Sequence, residues 1–258
     1  MKAHPTAIIH PRARLACSVT IGPYTVIEEG VELGEDCEVM SHVVLGGPTQ
    51  IGKGNRIFPW ASVGLEPQDM KYGGEPTRLE VGDGNIFREF VTVHRGTAGG
   101  GGVTRIGNHN LLMAYVHIAH DCVLGHHIVM ANGASLAGHV EIGDYAMVGA
   151  FCGIHQFCRI GAYSFLGSYT AVNKDILPYS KTSAPRPMAV LGANRVGLER
   201  RGLRKEDIDE LEAAFRLLSR SKLNTTQALE AIESRGLGSE HVRALVEFIR
   251  TSERGVAK

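Results

Sequence analysis

The chain has 258 residues, enough for one large domain and a small appendage. Its 27 Lys+Arg balance 27 Asp+Glu, so no whole-chain field favours a nucleic acid or an anionic membrane surface as partner. Thirty-two glycines beside only 6% aromatic residues suit a fold with many tight corners and argue against an ordinary helical bundle.

The N-terminus, MKAHPTAIIHPRARL, lacks the apolar core of a signal peptide, and no apolar run approaches the ~18 residues of a membrane span. A cytoplasmic protein without a transmembrane segment is expected. Cys17, Cys37, Cys122, Cys152 and Cys158 are odd in number and include no C-x-x-C pair, which points to reduced thiols.

From Ile9 every sixth residue is aliphatic through Val63. Val81, Phe87 and Val93 continue the register, and it restarts at Ile106 and runs to Val172, for 25 hexads in all. Neither the 3.6-residue period of a helix nor the two-residue period of a flat strand gives a strict six. A short strand plus a corner does. Three hexads then make an 18-residue triangular coil, stacked on the next at about 4.8 Å, so about eight coils of parallel β-helix are expected. The repeat class implies a left-handed helix. Position four after each anchor is small or moderately apolar and holds Cys37, Cys122, Cys152 and Cys158, which read as core side chains.

Two segments interrupt the repeat. The polar segment 65–78, LEPQDMKYGGEPTR, reads as a loop on one side of the solenoid, where function is commonly carried. The segment 97–105, TAGGGGVTR, lacks the Gly-Lys-Ser/Thr of a phosphate cradle and reads as a bland flexible loop. The repeat stops at Pro178, and a Pro-rich bridge through Pro185-Arg186-Pro187 leads to three stretches with helical spacing. Asn224 or Thr225 and Ser239 serve there as N-caps and Gly236 as a stop. The expected division is residues 1–185 as the β-helix and 186–258 as a C-terminal α-helical domain. That second part carries 14 Lys+Arg against 11 Asp+Glu, a weak hint of an acidic partner.

A coil of 18 also reports spatial neighbours. His120, Gly138 and Gln156 form one vertical column, with Asp121, His139 and Phe157 beside it and His117 and His155 near. His120 followed by Asp121 offers a general base held by a carboxylate. Gly138 above it offers an uncovered backbone N–H of the kind an oxyanion requires. His117, His120 and His139 also raise zinc, but they lie on different columns and no further ligand completes the shell. A zinc-dependent enzyme resembling carbonic anhydrase and a purely structural solenoid are therefore the rival readings; no metal or cofactor is expected.

Taken together, QDMKYGGEPTR (68–78), VTVHRGT (91–97), NLLMAYVHIAHDC (110–122), LAGHV (136–140), HQFCRIGA (155–162) and GLERRG (197–202) closely resemble the acyl-carrier-protein-dependent UDP-N-acetylglucosamine O-acyltransferases that begin lipid A synthesis. The resemblance spans nearly the whole chain. It implies transfer of a 3-hydroxyacyl group to the sugar 3-hydroxyl, with His120 as general base, Asp121 as its orienting neighbour and Gly138 as oxyanion donor. It implies that Gln68, Asp69, Lys71, His117, His139, His155 and Gln156 surround the sugar nucleotide and acyl group. Asn194, Arg200 and Arg201 would meet the nucleotide, two guanidiniums suiting a diphosphate.

Val196 stands where the family usually has an acid, and the bridge around Pro185 also departs, so a 3-amino acceptor stays open beside the 3-hydroxyl. The related N-acyltransferases carry a separate N-terminal nucleotide domain, for which a repeat beginning by Ile9 leaves no room. Ser168 matches the family's hydrocarbon ruler. It lies 48 residues beyond His120, two coils and two faces, on the order of 13 Å higher and off its column, so it must come from a neighbouring subunit. A homotrimer is expected for the same reason: the polar loop has no core of its own and one chain leaves the His120 corner open to water.

Overall fold

A computed structural model of the chain describes residues 1–183, 188–219, 221 and 223–257. Short parallel strands form three sheets that wrap one core, a three-faced parallel β-helix. Successive strands fall on successive faces, and partners on one face are 18 residues apart, as in His117↔Ser135 and Ser135↔Gly153. The partner spacing grows to 30 residues across the first insertion (Arg56↔Ile86) and to 25 across the second (Thr92↔His117). The first face includes the strands ending at Ile21, Ile57, Leu112 and Leu166, the second those ending at Ile27, Leu65, Ile118 and Leu136, and the third those ending at Leu33, Val81, Leu124 and Ile160. Each anchor points inward; Leu45, Ile57, Leu112, Ile118 and Leu136 are wholly buried. Cys37, Cys122, Cys152 and Cys158 lie among them, as expected, whereas Cys17 is exposed.

The repeat is longer than its aliphatic pattern. Lys2–Ala3 already forms a strand pairing with Thr20–Ile21, one hexad before Ile9. At the other end the winding does not stop at Pro178: Ile176 bridges Ile160, and Ser180–Thr182 joins the first face through Phe165↔Lys181. The bridge Pro185-Arg186-Pro187, and with it the expected boundary at 185/186, lies outside the described residues. On its far side the chain forms a strand, Val190–Ala193, antiparallel to Ser180–Thr182. Helices α1 (Arg195–Arg200), α2 (Lys205–Ser219), α3 (Thr225–Ser234) and α4 (Glu240–Arg250) come next. Asn224 and Ser239 cap α3 and α4 as their side chains predict, and Gly236 takes φ 68° just past α3.

The corners are built unusually. The residue three past an anchor takes a left-handed conformation, and it is often not glycine: Trp60, Phe90, Tyr115, Asp121, His127, His139, Tyr145 and Phe157 have φ between 55° and 67°. That conformation costs an L-residue on the order of 1–2 kcal/mol. The coil rise offsets it, because rings one coil apart sit at stacking distance, worth about 0.5–1.5 kcal/mol per pair. His127 and Tyr145 stack at 4.8 Å, Phe90 and Tyr115 at 4.9 Å, and His139 and Phe157 at 4.4 Å. Inside the corner after the third face runs a ladder of buried asparagines. Asn55 Oδ1 accepts from the backbone N–H and side-chain amide of Asn85, and Asn85 Oδ1 accepts from the N–H of Asn110.

Candidate active site

His120 and Asp121 occupy the corner between the second and third faces. The His120 ring lies 2.7 Å from Asp121 through Nδ1, and the carboxylate is buried. With Nδ1–H donated to Asp121, the Nε2 lone pair is left to face outward. Asp121 is held from its other side by the second insertion: its two oxygens accept from the Thr97 N–H at 2.8 Å and the Thr97 hydroxyl at 2.6 Å. Its own N–H donates to Thr104 Oγ1 at 2.8 Å. The glycine run is therefore not the bland flexible loop its composition suggests. It makes a short 3-10 turn at Ala98–Gly100, closed because the Thr97 carbonyl accepts from both Gly100 and Gly102.

Gly138 stands one coil above His120, as the spacing requires. A Cβ there would meet His120 Cε1 at 2.5 Å and Nε2 at 2.8 Å, so the ring fills the space a side chain would need. The Gly138 N–H has no acceptor among the described residues, while its carbonyl accepts from Phe157. His139 closes the side, its ring edge-on to His120 at 5.3 Å and its Nε2 3.7 Å from Asp121. Burial holds the His139 imidazole below its usual range, against the opposing pull of Asp121 and Asp69. That influence brings Asp69 of the first loop to the site; Gln68 and Lys71 are exposed beside it. His117, half-buried with Nδ1 2.8 Å from Thr92 Oγ1, is pushed down to about 4 by burial and by the neighbouring His94 and His120. His155 and Gln156 are exposed at the top of the column, where Arg254 of the C-terminal tail reaches His155.

The donor atoms of His120, Asp121 and His139 lie within 4.8 Å of one another. The hydrogen-bond geometry between Nδ1 and Asp121, and the two Thr97 donors on the carboxylate, occupy the positions a cation would take, and His117 faces elsewhere. These residues fit a base and its orienter better than a zinc shell.

Asn194, Arg200 and Arg201 are gathered elsewhere in the chain. With Tyr145, Tyr163 and Lys181 they line a pocket at the corner between the third and first faces. There the Arg201 guanidinium lies 4.9 Å over the Tyr145 ring and Asn194 donates to the Tyr163 carbonyl. Val196, exposed, shares this pocket. Ser168 is exposed on the third corner, between the first and second faces, and so does not overlie His120.

Two residues that fix the first loop escaped the sequence reading. Arg95, buried, donates to the Gly64 carbonyl at 3.1 Å and the Tyr72 hydroxyl at 3.0 Å, and His94 contacts the Glu66 carbonyl. The available signal was a His-Arg pair directly after the anchor Val93, where a corner normally begins.

The C-terminal part of the chain, residues 175–257, matches the family model for domain 2 of UDP-N-acetylglucosamine O-acyltransferase. A Saccharophagus degradans protein named as an acyl-[acyl-carrier-protein]–UDP-N-acetylglucosamine O-acyltransferase is 53% identical over 99% of this chain and 98% of its own. One of the same name from Halorhodospira halophila is 48% identical over 100% and 99%. The crystal structure of a Moraxella catarrhalis UDP-N-acetylglucosamine O-acyltransferase superposes with a TM-score of 0.96 at 43% identity, covering 100% of both chains. With a histidine–aspartate pair under a bare glycine, on a β-helix matched from end to end, the chain belongs to the UDP-N-acetylglucosamine O-acyltransferase family.

Proposed function

We propose that the protein transfers a 3-hydroxyacyl group from acyl carrier protein to the 3-hydroxyl of UDP-N-acetylglucosamine, the opening step of lipid A synthesis. The carrying observation is the 2.7 Å contact of His120 Nδ1 with buried Asp121, which leaves Nε2 as the proton acceptor. As the sugar hydroxyl attacks the thioester, its proton passes to Nε2. The Gly138 N–H donates to the oxyanion of the tetrahedral intermediate. Collapse releases the carrier thiolate, which takes the proton back from His120. Transfer is direct. Cys122 is buried, donates its S–H to the Ala137 carbonyl, and has its thiol pushed up to about 12 by burial, which leaves no activated thiol for an acyl-enzyme. His120→Ala should lower kcat about 10²- to 10⁴-fold with much smaller effects on KM, read by following acyl transfer. A fully active variant, or acyl groups trapped on the protein, would overturn the reading.

The working form is a homotrimer. Outward apolar residues run along part of the first face (Ile86, Leu111, Val129, Phe165) and part of the second (Ile8, Val26, Val44), and these faces meet along an edge of exposed rings that includes Trp60, Tyr115 and Tyr169. The third face carries ion pairs along its length, Arg14 with Glu32, Arg105 with Glu80 and Arg159 with Glu141, against the single pair of Arg56 with Glu38 on the first among the described residues. Packing the first face of one copy on the second face of the next covers the apolar stretches of both in a closed ring. It also sets the Arg200–Arg201 pocket of one copy beside the His120 corner of its neighbour, so the two halves of the site meet between subunits. Gln68, Asp69, Lys71, His117, His139, His155 and Gln156 then surround the sugar and acyl group, Asn194, Arg200 and Arg201 meet the nucleotide, and Ser168 ends the acyl groove. Sedimentation showing an active monomer would defeat this arrangement.

The chain is read as two units, the β-helix to residue 185 and the helical part from 186, supported by the end of the winding at Thr182 and the start of helices at Arg195. Among the described residues no helix is long and apolar enough to cross a membrane, and all five cysteines are free thiols. Both suit work in the cytoplasm.

A further inference from the structure

We infer that the glycine loop is a clamp that fixes the orientation and tautomer of His120 through Asp121, with Thr97 as the positioning residue and Gly100 as the point of close approach. The inference rests on His120 being the base of the proposed reaction, but its structural half can be tested without substrate.

A regular corner does not bury an aspartate. Asp36 occupies the same position of its hexad, with φ 56° against 60° for Asp121, and its side chain is exposed. Asp121 differs because the second insertion folds back over it. Moving a carboxylate out of water is costly unless donors replace the lost hydration. Here three converge: the Thr97 N–H, the Thr97 hydroxyl and the His120 Nδ1–H. Thr97 is itself buried and immobilised, since its carbonyl accepts from both Gly100 and Gly102. The far end of the insertion grips the same residue, Thr104 accepting from the Asp121 N–H. The carboxylate is thus fixed from backbone to tip before any substrate arrives, and a fixed acceptor at Nδ1 leaves the imidazole one proton position.

The loop composition reflects this contact. A Cβ on Gly100 would fall 2.0 Å from Asp121 Cγ and 2.3 Å from both carboxylate oxygens, whereas one on the exposed Gly99 meets nothing within 4 Å. Neither glycine has a positive φ, so the two differ in the neighbour and not in backbone strain. Glycine is required at position 100 by the carboxylate beneath it.

The test uses the full-length protein. Thr97→Val removes the hydroxyl and keeps the shape; kcat should fall roughly 10- to 100-fold with KM for both substrates nearly unchanged, because a base displaced by a fraction of an ångström acts less well on substrate that still binds. Thr97→Ser should restore most of the loss, and Gly100→Ala should lose at least as much while Gly99→Ala matches the parent. Independently of turnover, 15N spectra of histidine-labelled protein, with His120→Asn giving the assignment, should show one tautomer at His120 in the parent and exchange between two in Thr97→Val. A parent-like kcat and an unchanged His120 spectrum in Thr97→Val would overturn the clamp. Were the parent itself inactive on UDP-N-acetylglucosamine, the spectra would still decide it, and only the proposed reaction would fall.

Discussion

Replacing Gly138 by alanine is the sharpest probe of the site, since it adds one methyl group and removes no polar atom. Its Cβ would lie 2.5 Å from His120 Cε1, whereas ordinary contacts begin near 3.4 Å, so the ring must retreat by about 0.9 Å. It cannot pivot freely, because Nδ1 is tied to Asp121. Misplacing a reacting group by about 1 Å costs on the order of 10² in rate, or about 2.7 kcal/mol of barrier at 1.36 kcal/mol per decade. Folding should barely notice. Gly138 lies outside the left-handed region, so alanine there also restricts the unfolded chain, a gain of about 0.4–1 kcal/mol that offsets part of the local crowding. The expected result is a kcat near one hundredth of the parent, measured by acyl transfer from the carrier protein, with a melting temperature within a few degrees. A variant within twofold of the parent would show that the ring does not work from this position.

Stability should rise with pH between about 4 and 6.5. His117 stays neutral in the fold down to about 4 while the unfolded chain takes up a proton near 6.5, so below that value the unfolded state binds more protons. Complete titration costs on the order of 3 kcal/mol, with His94 and His139 acting in the same direction. Urea melts from pH 7 to 4.5 should show that slope, flattened in His117→Gln; an equal slope in both would refute it. At the groove end, Ser168→Met should shift preference to shorter 3-hydroxyacyl donors and Ser168→Gly to longer ones, since overpacking there costs about 1 to 3 kcal/mol. One optimum across an acyl-length series for parent and both variants would remove Ser168 from the groove.

What the sequence made legible is what a period records. The hexad anchors from Ile9 to Val172 became the interior, and a count of eighteen put Gly138 over His120 without any knowledge of the fold. The same count cannot see beyond its own register. Lys2–Ala3 and Ser180–Thr182 were missed because Lys and Ser mask a strand that its neighbour holds by backbone pairing. The clamp on Asp121 was missed for a deeper reason. An insertion has no period, and the contact of Thr97 with a residue 24 positions away depends on how a glycine turn folds back. His94 and Arg95 were hidden likewise, their partners Glu66, Gly64 and Tyr72 lying across the first insertion.

The asparagine ladder has a consequence for how such a chain can change. Its two links, Asn55 to Asn85 and Asn85 to Asn110, span 30 and 25 residues, bridging the two coils in which the chain leaves its regular spacing. The side chains that keep the coils aligned thus lie on a different corner from both loops, at the far end of the third face. The neighbouring coils stay locked to one another from within, independently of the two insertions, whose own residues are held by contacts to the site: Thr97 to Asp121, and the first loop to Arg95. The ladder separates what keeps the coils in register from what shapes the site, so a change within an insertion should be felt in recognition and catalysis before it is felt in the fold.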